Sequence, residues 1–446
     1  MDRGFPTGRV PAIDGSASLR PEVRLLLALD DPQRLAHLAS RCDWSVADRL
    51  AREQRLTGRL LRSLDAAAAR DAVPPDLAAA WRARSRHAAA TYRDALRQIE
   101  RLAEALTARA ATPCLLKGPV LVLLGCSAPG ERPFGDLDLL VPGDRLDQAS
   151  AAMRELGYHQ RIDARRRQWA RLTHYHDPRW YHPEERFPVE VHWDIARPHQ
   201  PLAFAVETLS RVTLHLPSGA CLERLDDVDL LGHACMHFWG DRAAGKPNGL
   251  GQLWDVADLT ERLDDASWAE FWRRAEQRGH TNVLATVLAT VRVLLDRPEL
   301  ERFPAVAARA ATTELLDFAA RRVCARRPAH VQLLSPFDDV HFGVGRLLRQ
   351  NLPWAYTQRS PLRWWPSVVL TRVSAAAFRS GRALGEIYGV QPSLRLRISF
   401  LWELGKLLGR GFRQPRSTVA ELRIDRWAVR MTRNLPRGHA GRRQRR

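Results

Sequence analysis

The sequence predicts an α+β fold: a small mixed β-sheet core flanked by helical regions on its N-terminal and C-terminal sides. Three observations carry that expectation. From Pro21 to Ala110 apolar residues recur at helical spacing almost throughout. Between residues 112 and 217, short apolar runs of period two are separated by turns marked with glycine and proline. From Asp226 to about Arg326 the helical spacing returns.

Residues 1–19 are rich in Gly, Pro and Ser and read as a disordered N-terminus. In the N-terminal helical region, 20–111, Asp43-Trp44-Ser45 precedes Val46, Leu50, Ala51, Leu56, Leu60 and Leu61 at i, i+3, i+4 spacing. Pro74-Pro75 breaks this run. A long helix over Asp76–Ala110 follows, with Leu77, Trp81, Ala88, Tyr92, Leu96, Ile99, Leu102 and Leu106 as its apolar face. The region reads as packing, with no chemistry of its own.

The core, 112–217, opens with CLLKGPVLVLLG over Cys114–Gly125: a buried strand, a Lys-Gly turn, then a helix with Pro119 in its first turn. Free N–H groups at a helix start favour an anion. Lys117 adds a point charge, and it is one of only three lysines (117, 246, 406) in a chain that otherwise uses arginine. RPFGDLDLLV follows over Arg132–Val141. Period two puts Asp136 and Asp138 on one face, with Leu137, Leu139 and Val141 on the other. Paired carboxylates suit Mg²⁺; the same pattern, alone, describes a half-buried strand showing acids to water. Pro142-Gly143-Asp144 reads as a turn with a capping acid, before a helix over Arg145–Leu156 that Gly157 ends. Tyr158–Ile162 is a candidate strand. In FPVEVHWD, Val189, Val191 and Trp193 share one face, and Glu190, His192 and Asp194 the other. Beside the Asp136 strand, Glu190 would complete a cluster of three carboxylates able to hold two metal ions.

Taken in order, Lys117-Gly118, then R-x-x-G-D-x-D-L-L-V, then V-E-V-H-W resembles a family of bacterial nucleotidyltransferases of the DNA polymerase beta-like superfamily, over roughly residues 20–300. The resemblance implies that Asp136, Asp138 and Glu190 are catalytic and bind metal, and that Lys117, Gly118 and Arg132 bind the nucleotide. It implies Mg²⁺ or Mn²⁺ and an NTP co-substrate, expected to be ATP. NMP would pass to a hydroxyl of a small-molecule or peptide/protein acceptor. The chain departs from the superfamily at Pro119, where serine or glycine is usual. That departure keeps a second reading open: a catalytically retired fold that binds a nucleotide or a partner. The segment Arg165–Tyr181, rich in Arg, His and aromatics, is placed to meet nucleotide phosphates or the acceptor. His174, His176 and His182 in or beside it lack a fixed ligand spacing.

In the C-terminal helical bundle, 218–340, His233 and His237 have i, i+4 spacing, but Ala234 stands where a zinc protease would have glutamate. They read as core or supporting histidines. Asp255 and Asp258 fall in the helical run LWDVADL, with Asp255 as a candidate contact to the acceptor or a simple cap.

The charge is uneven. The net charge is +19, yet residues 341–446 hold 22 Lys+Arg against 4 Asp+Glu, leaving residues 1–340 nearly neutral. A nucleic-acid partner at the active site is therefore not expected. The basic tail contains PLRWWPSVVLTR and an amphipathic run over Leu394–Phe412, with Ile398, Leu401, Leu404 and Leu408 at helical spacing. Its composition fits an anionic membrane surface or an acidic partner. The six cysteines have no C-x-x-C pair, and no apolar run is long enough for a signal core or a spanning helix. The expected location is cytoplasmic, with peripheral membrane contact through the tail.

Overall fold

The computed structural model describes residues 21–160, 179–195, 206–243 and 249–310. The readings of the N-terminus, of 165–178, of the helical bundle beyond Ala310 and of the basic tail lie outside these residues.

Three consecutive buried residues suit β1 (Cys114–Leu116) to the interior of the sheet. It pairs antiparallel with β2 (Leu137–Leu140), and β2 pairs parallel with β5 (Val189–His192). Two short strands, β3 (His159–Gln160) and β4 (Trp180–Tyr181), extend that side. On the other side β7 (Cys221–Leu225) runs parallel to β1 and carries β6 (Arg211–His215) at the edge. The result is a seven-stranded mixed sheet of order β3-β4-β5-β2-β1-β7-β6. The sheet thus runs on past residue 217. The hairpin β6–β7 closes over Pro217-Ser218-Gly219, with Gly219 at φ +91°, a conformation that suits glycine.

The N-terminal helices are α1 (Pro21–Leu27), α2 (Pro32–Ala39), α3 (Trp44–Glu53), α4 (Thr57–Ala66) and α5 (Pro75–Thr107). Asp43 caps α3, its Oδ1 accepting from the N–H groups of Ser45 at 2.9 Å and Val46 at 3.3 Å. The short α6 (Gly118–Leu123) follows β1, and α7 (Leu146–Glu155) follows β2. Asp144 does not cap α7: it lies in a 3-10 turn over Gly143–Arg145, and Arg145 precedes the helix without a side-chain bond.

Beyond the sheet lie α8 (Asp227–Ala243), α9 (Gly249–Thr260), α10 (Asp265–Gln277), α11 (Thr281–Leu294) and α12 (Pro304–Ala310). Almost every residue of α9 is buried. It packs against α8 and α11, and the N-terminal helices reach it as well. Trp254 Nε1 donates to the Leu26 carbonyl at 3.0 Å. The Arg59 guanidinium lies 4.3 Å from the Trp254 ring centre and bonds both oxygens of Asp258, at 2.9 and 2.7 Å, and Asp30. Asp258 is therefore a structural acid. Gly251 permits the close approach: a Cβ there would lie 2.4 Å from the Gln54 carbonyl. Gly58 likewise lets α4 approach the loop at Gly130, whose carbonyl would lie 2.4 Å from a Cβ on it. No helix of the described residues is long and apolar enough to cross a membrane.

Candidate active site

The parallel register of β2 and β5 sets Asp138 directly opposite Glu190 and Leu140 opposite His192. Directly paired residues on neighbouring strands put their side chains on the same face, close enough to interact. Asp138, Glu190 and His192 consequently bring one potential ligand atom each within 4.8 Å of one another. Asp136 lies one residue before β2, at the rim. It joins through Arg179, whose Nε donates to Glu190 Oε1 at 2.7 Å and whose Nη2 donates to Asp136 Oδ2 at 2.8 Å. The tight group of donor atoms therefore has His192 where the sequence reading has Asp136.

Asp138 is buried, and both its contacts fall on one oxygen. Lys117 Nζ donates to Oδ1 at 2.6 Å, and His192 Nε2 lies 2.8 Å from the same atom. Among the described residues Oδ2 takes no hydrogen bond. Burial pushes the Asp138 carboxyl up, but Lys117 and His192 outweigh it and hold the group well below the usual range. An ionised carboxylate only accepts, so His192 Nε2 must carry the proton it shares. At the rim the balance reverses. Burial, then the charges of Asp138 and Glu190, raise the Asp136 pKa against the pull of Lys117 and Arg179.

Lys117 reaches Asp138 from a strained backbone. Its φ of +58° and ψ of −134° fall in the left-handed half of conformational space, where a non-glycine residue costs about 1–3 kcal/mol. The next residue, Gly118, is glycine for a packing reason: a Cβ there would lie 3.1 Å from Phe134 Cβ. Phe134 stands two residues before Asp136, so this contact couples the turn to the acid loop. Pro119 occupies the first turn of α6, and that helix has only six residues.

Arg132 does not stand free at the turn. Its Nε and Nη2 bond the two oxygens of Asp255 at 2.7 and 2.5 Å, and both side chains are nearly buried. Asp255, read from sequence as a cap or an acceptor contact, is the partner of Arg132. His233 is buried on α8. Burial first, then His237, Lys117 and His192, hold its pKa well below that of free histidine, so it is neutral at pH 7. The rings of His233 and His237 stack with centres 6.2 Å apart. Among the described residues they belong to no cluster of metal donors.

His192 and Arg179 are the contributions that sequence reasoning missed. The first had a signal, since His192 shares the Glu190 face of its strand. The second sits in a segment flagged only for its composition.

Oxygen-rich donor sets suit hard divalent cations such as Mg²⁺ and Mn²⁺. The open Oδ2 of Asp138, the opposed Glu190 and the repelled Asp136 fit that chemistry. A supporting imidazole that fixes a ligating carboxylate is equally usual around metal sites. No curated protein and no solved structure matches the chain. A family model described as "Uncharacterised nucleotidyltransferase" matches residues 40–296, which is more than half of the chain and includes every acid of the cluster. On that match the chain belongs to this uncharacterised nucleotidyltransferase family.

Proposed function

We propose that the protein is a metal-dependent nucleotidyltransferase that moves NMP from an NTP, ATP being the expected donor, to a hydroxyl of a small-molecule or peptide/protein acceptor. The observation that supports it best is the pairing of Asp138 with Glu190 across parallel strands, with one oxygen of Asp138 open. In this reading Asp136, Asp138 and Glu190 hold Mg²⁺ or Mn²⁺. When bound, such an ion neutralises phosphate charge and favours both the attacking and the leaving oxygen.

The chain's own residues do the rest. His192 and Lys117 keep Asp138 ionised and oriented. The Lys117 ammonium, fixed by its strained turn beside Gly118, offers charge to the incoming phosphates. Glu190 accepts the proton of the acceptor hydroxyl. The acceptor oxygen bonds to the α-phosphorus as the bond to the bridging oxygen breaks, and pyrophosphate leaves. Arg179 spans Asp136 and Glu190 and must yield part of that contact as a cation enters. A cytoplasmic location, and contact of the basic tail with an anionic membrane or acidic partner, complete the reading.

The test is incubation with each labelled NTP and Mg²⁺, followed by mass spectrometry for an NMP adduct on the protein or on a co-purified compound. Transfer by wild type that disappears in Asp138→Ala supports the reading. A second reading, a retired fold that only binds, is favoured by Pro119, which supplies neither N–H nor hydroxyl at the turn. Mg²⁺-dependent NTP binding without pyrophosphate release selects it.

A further inference from the structure

We infer that Arg55, in the turn between α3 and α4, binds the phosphates of the nucleotide at this site. The inference rests on the nucleotidyltransferase reading and assigns a residue that neither the motifs nor the family match singles out.

The turn is clamped. Gln54 is buried, and its Oε1 accepts the Leu250 N–H at 2.9 Å, at the start of α9. The Gln54 carbonyl presses on Gly251, and the Arg55 Cβ lies 4.0 Å from where a Gly251 Cβ would be. Gly251 and Asp255 are four residues apart and share a face of α9. Arg55 therefore stands one helical turn from the pair formed by Arg132 and Asp255. Its charge lies within electrostatic reach of Arg132, Asp136, Asp255 and Asp241, and so of the rim of the acid cluster.

The other arginines around this region are spoken for. Arg132 is held by Asp255, Arg179 by Glu190 and Asp136, and Arg59 by Asp258 and Asp30. Arg55 is exposed, and among the described residues no carboxylate forms an ion pair with it. The sequence made Arg132 the phosphate arginine. Its fork is closed on Asp255, whereas that of Arg55 is open. A planar fork of N–H donors matches phosphate oxygens two at a time.

The backbone at this turn is of a common kind. Arg55 has φ +59°, and the Leu56 N–H bonds the Ala51 carbonyl at 2.8 Å. This is the left-handed ending of a helix, where glycine is the usual residue and asparagine the next. Ala68, Ala110 and Asp296 adopt the same ending.

That geometry supplies a clean test. Arg55→Gly should leave the melting temperature unchanged or raise it, because glycine prefers this position. In titrations with Mg²⁺ and a non-hydrolysable ATP analogue, it should weaken binding by about 10- to 100-fold, the scale of a lost charge-assisted bond. Binding of AMP should change less than about twofold, since AMP lacks the β- and γ-phosphates. Arg55→Asn should repeat both results. Equal loss for the ATP analogue and AMP, or no loss for either, overturns the inference while leaving the enzyme reading standing. Failure of wild type to bind the ATP analogue overturns the enzyme reading itself.

Discussion

Asp138 and Asp229 are both buried aspartates, and their surroundings differ in kind. Asp229, on α8, is saturated. Arg278 Nη1 donates to its Oδ1 at 2.5 Å, and its Oδ2 accepts from the Ser210 N–H at 2.8 Å and forms an ion pair with Arg274 at 2.9 Å. Asp138 has both its partners on one oxygen, and it faces Glu190 and Asp136. One site balances its charge within the protein. The other keeps negative charge in excess and an oxygen in reserve. Buried charge alone therefore does not mark a functional site, because structural ion pairs bury charge too. The unbalanced remainder does.

The largest effect that would break this contrast is catalytic. Asp138→Ala should lower NMP transfer by about 10²–10³-fold or more, with the circular dichroism spectrum unchanged. Full turnover in that variant would move Asp138 into the structural class. Next in size is Asp229→Ala. It leaves Arg274 and Arg278 without their shared partner and should cost about 3–5 kcal/mol in urea denaturation. A loss under about 1 kcal/mol would mean that the saturated site is not structural.

A third prediction concerns pH. His280 is buried, and burial, with Arg278 adding, pushes its pKa down from 6.5 to about 4. Above 6.5 the imidazole is neutral in both folded and unfolded chains. As pH falls below 6.5 the unfolded chain takes up the proton first, so stability drops until about pH 4. The full loss is about 3 kcal/mol at 1.36 kcal/mol per pKa unit. His280→Gln should flatten that part of the stability profile. An identical slope in the variant would assign the acid sensitivity elsewhere.

The smallest effect is at the rim of the acid cluster. The raised Asp136 pKa means its charge is disfavoured in the folded protein. Asp136→Asn should therefore raise the melting temperature slightly in buffer containing EDTA. It should also lower transfer. A destabilised, fully active Asp136→Asn would reverse the sign of the argument.

The acid-bearing strands were legible because alternation is a local property. Leu137 and Leu139, then Val189 and Val191, mark the apolar faces, and the acids follow from period two. The long helix was legible for the same reason: its span was read as 76–110, and the structure gives Pro75–Thr107. The hairpin β6–β7 was missed although Val212, Leu214 and Leu216 alternate and Pro-Ser-Gly marks its turn. β6 lies at the sheet edge with Val212 exposed, so its alternation marks no clean apolar face. The bond between Arg132 and Asp255, the Arg179 bridge and the place of Arg55 were not legible. Each depends on segments far apart in the chain, and nothing in the local pattern around Arg132 announces Asp255.

The hold of Gln54 and Leu26 on α9 has a consequence for dividing the molecule. Sequence boundaries invite a minimal fragment starting near residue 112, with the helices before it discarded. Such a fragment would lay bare Trp254, the Leu250 amide and the face of Gly251, and would strand Asp258 without its arginine. Sheet and leading helices are one inheritance: a shortened version worth purifying has to begin before Leu26.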